Sequence, residues 1–178
     1  MSENAPTHRG RILLILGRLA LAAIFLFASY AKLKPPGHMA WSAGSVRVSL
    51  ALFAMQVDSY QLLSTDAANV VAHLLPPFEL LLGLWLLSGV LLRYSALVAT
   101  LLLTGFFSVL VRSYAAGLEI DCGCFGPGRK LGPGALLEDG FMLILAIAVT
   151  LGAFAIRRNR GERQASAPAG APAAESSR

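Results

Sequence analysis

Cys122-Gly123-Cys124 is the stretch of this sequence whose residue types and spacing most directly promise chemistry. It lies within Asp121-Cys122-Gly123-Cys124-Phe125-Gly126-Pro127-Gly128, where three glycines and a proline read as a tight, turn-rich loop. Residues two apart have alpha carbons at most roughly 7 Å from each other, and a disulfide spans about 4.4–6.8 Å. A backbone bent at Gly123 therefore admits a strained Cys122–Cys124 bridge, and a strained bond exchanges readily with other thiols. So short a loop gains little entropy from its crosslink, which argues against a structural staple and favours redox exchange. A static disulfide, a bridge to another chain and metal ligation stay open, although two thiolates alone do not complete a zinc site. Arg112, Arg129 and Lys130 would favour a thiolate, while Glu119 and Asp121 would oppose one. Which cysteine attacks is therefore open.

A second group of residues places charge inside apolar sequence. Glu79 follows Pro76-Pro77 and falls about a turn inside an apolar run. A carboxylate in lipid is costly unless it is paired or protonated. Lys32 ends the first apolar run and Arg112 the third, so either could pair with it. A structural ion pair is the expectation, with a proton relay as its rival. Arg18 is expected to snorkel back to the headgroups. His38 and His73 are isolated and receive no role. No cofactor and no metal is assigned.

These residues need elements to hold them, and composition says which. The 178 residues are 56% hydrophobic and 14% charged, against about 25% charged in soluble chains. A soluble core of this size cannot hide so much apolar surface. A bilayer removes the difficulty. The net charge of +5 does not point to nucleic acid, because Arg and Lys flank apolar runs and do not share a face. Four runs approach the roughly 20 residues that cross a bilayer: Ile12–Tyr30, Val70–Leu92, Tyr94–Val111 and Gly140–Ile156, with Ala135–Asp139 as a candidate extension of the last. Arg9 and Arg11 before the first run, with Ser29 and Ala31 after it, mimic a signal peptide, but its length and the three later runs argue against cleavage.

The expected architecture is an all-α membrane protein, a four-transmembrane-helix bundle over residues 10–157, with a disordered cytoplasmic tail over 161–178 rich in Ala, Pro and Ser. Arg9, Arg11, Arg18, Arg93, Arg157, Arg158, Arg160 and Arg163 would share one side, and the positive-inside rule makes it cytoplasmic. The cysteine loop and the 32–69 loop would then face outward, on the periplasmic side of a bacterial inner membrane. Val46, Leu50, Phe53, Val57 and Tyr60 recur at helical spacing, so the 32–69 loop is expected to hold an amphipathic helix on the membrane surface or packed on the bundle. Trp41, Tyr30 and Tyr94 fit an aromatic belt, with Trp85 as the member that could lie deeper, and Ala22, Ala23, Gly83, Gly105 and Gly152 would let helices approach closely.

Three blocks carry a family resemblance: Arg18 through Lys32 (RLALAAIFLFASYAK), Ser49 through Gly83 with Val57-Asp-Ser-Tyr-Gln-Leu-Leu63 and Pro77-Phe-Glu-Leu-Leu-Leu-Gly83, and Asp121-Cys-Gly-Cys-Phe-Gly126. The chain resembles the MauE/DoxX-like family of bacterial membrane proteins, in particular its methylamine-utilisation MauE members. The resemblance implies a four-helix membrane bundle and a role near methylamine dehydrogenase maturation, where a disulfide-rich small subunit must be exported and oxidised. The expected function is a membrane thiol–disulfide component in which Cys122 and Cys124 cycle between dithiol and disulfide, with Glu79, Lys32 and Arg112 in support. The expected partners are membrane lipids and an exported thioredoxin-like or cysteine-rich protein, and not nucleic acid. The main rival is a non-catalytic assembly factor or scaffold with a static disulfide. A transporter ranks behind it, since the helix centres offer few polar residues. The chain has no second cysteine pair, so electrons leaving for a quinone or another protein need an outside partner.

Overall fold

The computed structural model describes residues 8–118, 120–122 and 130–165. Five helices follow one another: α1 (His8–Leu33), α2 (Ala43–Ser59), α3 (Thr65–Ser88), α4 (Leu92–Ala115) and α5 (Pro133–Ala165). Four of them, all but α2, are long and apolar enough to cross a membrane. At 1.5 Å per residue, the 26 residues of α1 reach about 39 Å, more than the hydrocarbon core. The four-span bundle expected from composition is the fold found.

Local chemistry sets the breaks. Leu33 is the last residue of α1 because Pro35 disfavours helical backbone at Lys34. A capping box opens α2: the Ser45 amide donates to the Ser42 hydroxyl at 3.1 Å, and the Ser42 amide donates to the Ser45 hydroxyl at 2.9 Å. The second and third apolar runs are almost continuous in sequence, yet Gly89 separates them. It closes α3 in left-handed conformation with φ 71°, a backbone that glycine adopts without steric cost. Pro133 opens α5 at the position where a missing N–H loses nothing.

The spans pack antiparallel around Leu21, Phe25, Leu82, Leu86, Ala96 and Ala146. Between 28% and 39% of each span is buried by protein. Leu13, Leu101, Leu137, Phe141, Ile144 and Leu151 are among the many large apolar side chains left outside, where a bilayer would solvate them. Small residues let α1 meet its neighbours. A Cβ on Gly83 would come within 2.9 Å of the Leu26 side chain and 3.2 Å of its backbone nitrogen. Ala22 is fully buried, and Gly152 lies against Leu14. Gly105 faces open space and Ala23 is exposed, so neither serves the close packing expected of it.

The helix expected in the 32–69 loop exists as α2, but its buried face is turned by about one position. Ser45, Ser49, Phe53 and Ala54 are buried, while Val46, Leu50, Val57 and Tyr60 flank them. The serines point inward because they satisfy backbone carbonyls of the preceding loop: Ser49 donates to Lys34 at 2.8 Å and Ser45 to Ala40 at 2.8 Å. Phe53 and Ala54 then pack on Ala72 of α3. At the other end of the chain, α5 continues to Ala165, past the point where a tail was expected to begin; the rest of that tail, 166–178, lies outside the described residues.

Candidate functional site

The two ends of the bundle are built differently, and the chemistry collects where α1 ends. Lys32, at the last turn of α1, donates to both carboxylate oxygens of Glu79 at 2.9 Å. Lys32 is 5% exposed and Glu79 3%. The lysine Nζ also lies 5.5 Å from the ring centre of Phe53 on α2, near enough for a cation–π attraction. A charge pair shielded this completely holds only when geometry and hydrogen bonds are good, and the two-pronged contact supplies both.

Glu79 sits deeper along its helix than the sequence suggests. Because α3 begins at Thr65, the carboxylate lies about 21 Å along it. The first part of α3 runs beyond the end of α1 and packs on α2, so Glu79 is level with the last turn of α1. Pro76 and Pro77 prepare this level. Each lacks an N–H, leaving the carbonyls of Ala72 and His73 without their helical donors. Ser29 of α1 donates to the Pro76 carbonyl at 2.8 Å, one turn from the ion pair. Arg112, the other candidate partner of Glu79, is exposed at the end of α4 and is not in the pair.

Asp139 was read from sequence only as a possible extension of the last span. It is 5% exposed, and with Lys32 and Glu79 it lines a cavity of about 30 Å³ between α1, α3, α4 and α5. That is room for about one or two waters. The Glu138-Asp139 pair opening an apolar run was the signal available in sequence, since an acid at a span's start is common but an inward-facing one is not.

The cysteine loop is pinched at its base. Asp121 and Lys130 form an isolated antiparallel bridge, and the Leu131 amide donates to the Ile120 carbonyl at 2.8 Å. Tyr60, just past α2, donates its hydroxyl to the Cys122 carbonyl at 2.6 Å, with the Asp121 carbonyl at 3.3 Å. Sequence reasoning placed Tyr60 on an apolar stripe and missed this clamp, which joins residues more than sixty positions apart. Cys122 is 6% exposed. Cys124, Glu119 and Arg129 lie outside the described residues, as does the expected Cys122–Cys124 bridge.

Between α1, α2 and the base of this loop runs a half-open cleft of about 810 Å³. Tyr30, Lys32, Phe53, Gln56, Ile120 and Asp121 are among its walls. Lys32 thus faces both the cleft and the small inner cavity. Arg18 behaves otherwise at the far end of α1. Its guanidinium reaches the Leu87 carbonyl at 3.5 Å and lies against Gly89, so it docks on the C-terminus of α3. That position suits a cation, because it faces the negative end of the helix dipole. His73 Nδ1 is 2.8 Å from the Asn69 carbonyl within its own helix, and His38 is exposed.

The family model described as methylamine utilisation protein MauE matches residues 10–152. The match takes in α1 through α4, the cysteine loop and the greater part of α5. No curated protein and no solved structure matches the chain.

Proposed function

The chain belongs to the methylamine utilisation MauE family, and from that premise we propose that it is a thiol–disulfide exchange component of the membrane. The observation that carries the reading is the clamp on Cys122. A loop with two cysteines is closed at its base by the Asp121–Lys130 bridge and tied to α2 by Tyr60. Holding the backbone of Cys122 at a fixed place, with the permissive Gly123 between the two cysteines, suits repeated exchange.

In the proposed step, two thiols of an exported protein meet the Cys122–Cys124 disulfide. A partner thiolate attacks one sulfur and forms a mixed disulfide. The second partner thiolate resolves it, so the partner gains an S–S bond and loses two protons and two electrons. Cys122 and Cys124 leave as thiols. The partner is a thioredoxin-like or cysteine-rich exported protein, with the disulfide-rich small subunit of methylamine dehydrogenase as the candidate. The orientation that serves this is termini cytoplasmic and cysteine loop periplasmic, in a bacterial inner membrane. Lys32 and Glu79 act as positioning residues that fix the end of α1 beneath the loop.

The burial of Cys122 favours a second reading, a non-catalytic assembly factor with a static disulfide. Single Cys122→Ser and Cys124→Ser variants separate the two. Exchange predicts that one variant accumulates a mixed disulfide with an exported protein, seen on non-reducing gels. If neither variant traps a partner, and the double variant still supports growth on methylamine, the assembly-factor reading holds.

A further inference from the structure

We propose that the pocket where α1, α4 and α5 meet, at the Arg18 end of the bundle, binds the headgroup of an anionic phospholipid, with Arg93 as its principal contact. The site stands apart from the thiol exchange above and uses residues that exchange does not involve.

The pocket holds about 200 Å³ and is lined by Leu14 of α1, by Leu91, Leu92, Arg93 and Tyr94 at the start of α4, and by Ala153 of α5. Its polar side chains are Arg93 and Tyr94; the rest of the wall is apolar. The Arg93 guanidinium is held over two rings, 5.4 Å from the centre of Phe154 and 5.7 Å from that of Tyr94, so it is oriented before any ligand arrives. It makes no ion pair and no hydrogen bond among the described residues. Arg93 also stands in the first turn of α4, where the helix dipole disfavours a cation. Arg18 differs, because it reaches the C-terminal end of α3, where the dipole favours it. A half-buried cation that meets neither a carboxylate nor a favourable dipole asks for an anion.

The distribution of charge points the same way. Asp58, Asp66, Glu79, Asp121, Glu138 and Asp139, the acids among the described side chains, all lie toward the other end: on α2, on α3 as far as Glu79, at the base of the cysteine loop and in the first turns of α5. At the pocket's end, Arg11 precedes Leu14 by about one turn and is exposed. The helix α5 continues past Ala153 through Arg157, Arg158, Arg160 and Arg163, with Glu162 as the one acid of that stretch. A lipid whose head is net negative gains from each of these cations, whereas a zwitterionic head brings its own ammonium among them. A lipid also suits the pocket better than a soluble anion does. Leu97 and Leu101 follow Arg93 at one and two turns along α4 and are exposed, which gives an acyl chain a track beneath the head. A phosphate seated at Arg93 can accept two parallel N–H bonds from the guanidinium.

Native mass spectrometry of the full chain in detergent, titrated with phosphatidylglycerol, tests the site. A single saturable adduct per chain is expected, with phosphatidylcholine binding more weakly. Arg93→Gln should raise the half-saturation concentration about tenfold, as the loss of a charge-assisted hydrogen bond does. Arg93→Lys keeps the charge without the paired geometry and should raise it less. Arg47→Gln, which removes an exposed cation on α2, should change nothing. Equal binding of the two lipids, or equal losses in Arg93→Gln and Arg47→Gln, would reduce the effect to bulk charge and overturn the site. Displacement of the lipid by glycerol phosphate would make the ligand a soluble anion and overturn it too. In the unsubstituted protein, phosphatidylglycerol carrying a photoreactive diazirine near its head should label residues 91–101 or 150–158, and excess phosphatidylglycerol should suppress the labelling. Labelling spread evenly over the four spans overturns the proposal whatever the variants do.

Discussion

Two cations on α1 meet opposite fates. Lys32 is buried at one end, gripped by both oxygens of Glu79 and roofed by Phe53. Arg18, at the other end, is half-buried and reaches a single backbone carbonyl at 3.5 Å. The difference lies in what covers them. The Lys32 end carries α2, the overhanging first part of α3 and the base of the cysteine loop, and α3 supplies the carboxylate. At the Arg18 end the described residues offer the turn at Gly89, and the cation there uses a helix terminus. One end gathers buried polar groups from several elements, and the other holds its cation at a single helix terminus.

The sharpest way to break that contrast is Glu79→Ala. It leaves the Lys32 ammonium buried without its carboxylate, a loss expected to cost about 3–5 kcal/mol. Arg18→Ala, which removes one long hydrogen bond and a dipole contact, is expected to cost about 1 kcal/mol or less. Unfolding of the purified protein in mixed micelles, followed by circular dichroism, ranks the two. Equal losses would mean that the Lys32–Glu79 pair is no more than another anchor. Lys32→Met/Glu79→Leu should recover part of the stability lost in Glu79→Ala, because both members of the pair are removed, while the buried Asp139 on the same cavity keeps the recovery incomplete.

A smaller effect tests the seam that sets the level of the site. Gly83→Ala drives a methyl into Leu26 at 2.9 Å, with backbone at 3.2 Å behind it. It should destabilise by about 1–3 kcal/mol. Gly105→Ala, facing open space, should be neutral or stabilise by up to about 1 kcal/mol through helix propensity. The same unfolding assay reads both, and a harmless Gly83→Ala would show that α1 and α3 need no close approach to align Lys32 with Glu79.

The smallest expected change sharpens the picture of the loop. Tyr60→Phe removes the donor to the Cys122 carbonyl at a cost of about 0.5–1.4 kcal/mol. Global stability should barely move. Labelling of the Cys122 thiol in a Cys124→Ser background should quicken about 2–10-fold, since a buried sulfur reacts only when its loop opens. An unchanged rate would mean that Tyr60 does not hold the loop shut.

Much of this was legible in the chain itself. Four apolar runs, Pro35-Pro36 after the first and a charge-poor composition dictate four spanning helices, because an unpaired backbone cannot lie in lipid. The Cys122-Gly123-Cys124 spacing and the unusual Glu79 mark where chemistry is to be sought, since both are costly or conspicuous wherever they fall. Sequence could not choose between Lys32 and Arg112 as the partner of Glu79. Both end apolar runs, and only the overhang of α3 past α1 puts one of them within 2.9 Å. Nor could it turn α2 so that Ser45 and Ser49 face inward beside Phe53, bring Tyr60 to Cys122, or set Asp139 on the cavity that Lys32 and Glu79 also line. Those contacts join residues far apart in the chain, and they depend on helix offset and rotation. Helix length and apolar period say that a face is buried; the depth at which two helices lock, set here by Gly83 against Leu26 and Ser29 against Pro76, decides which polar groups meet.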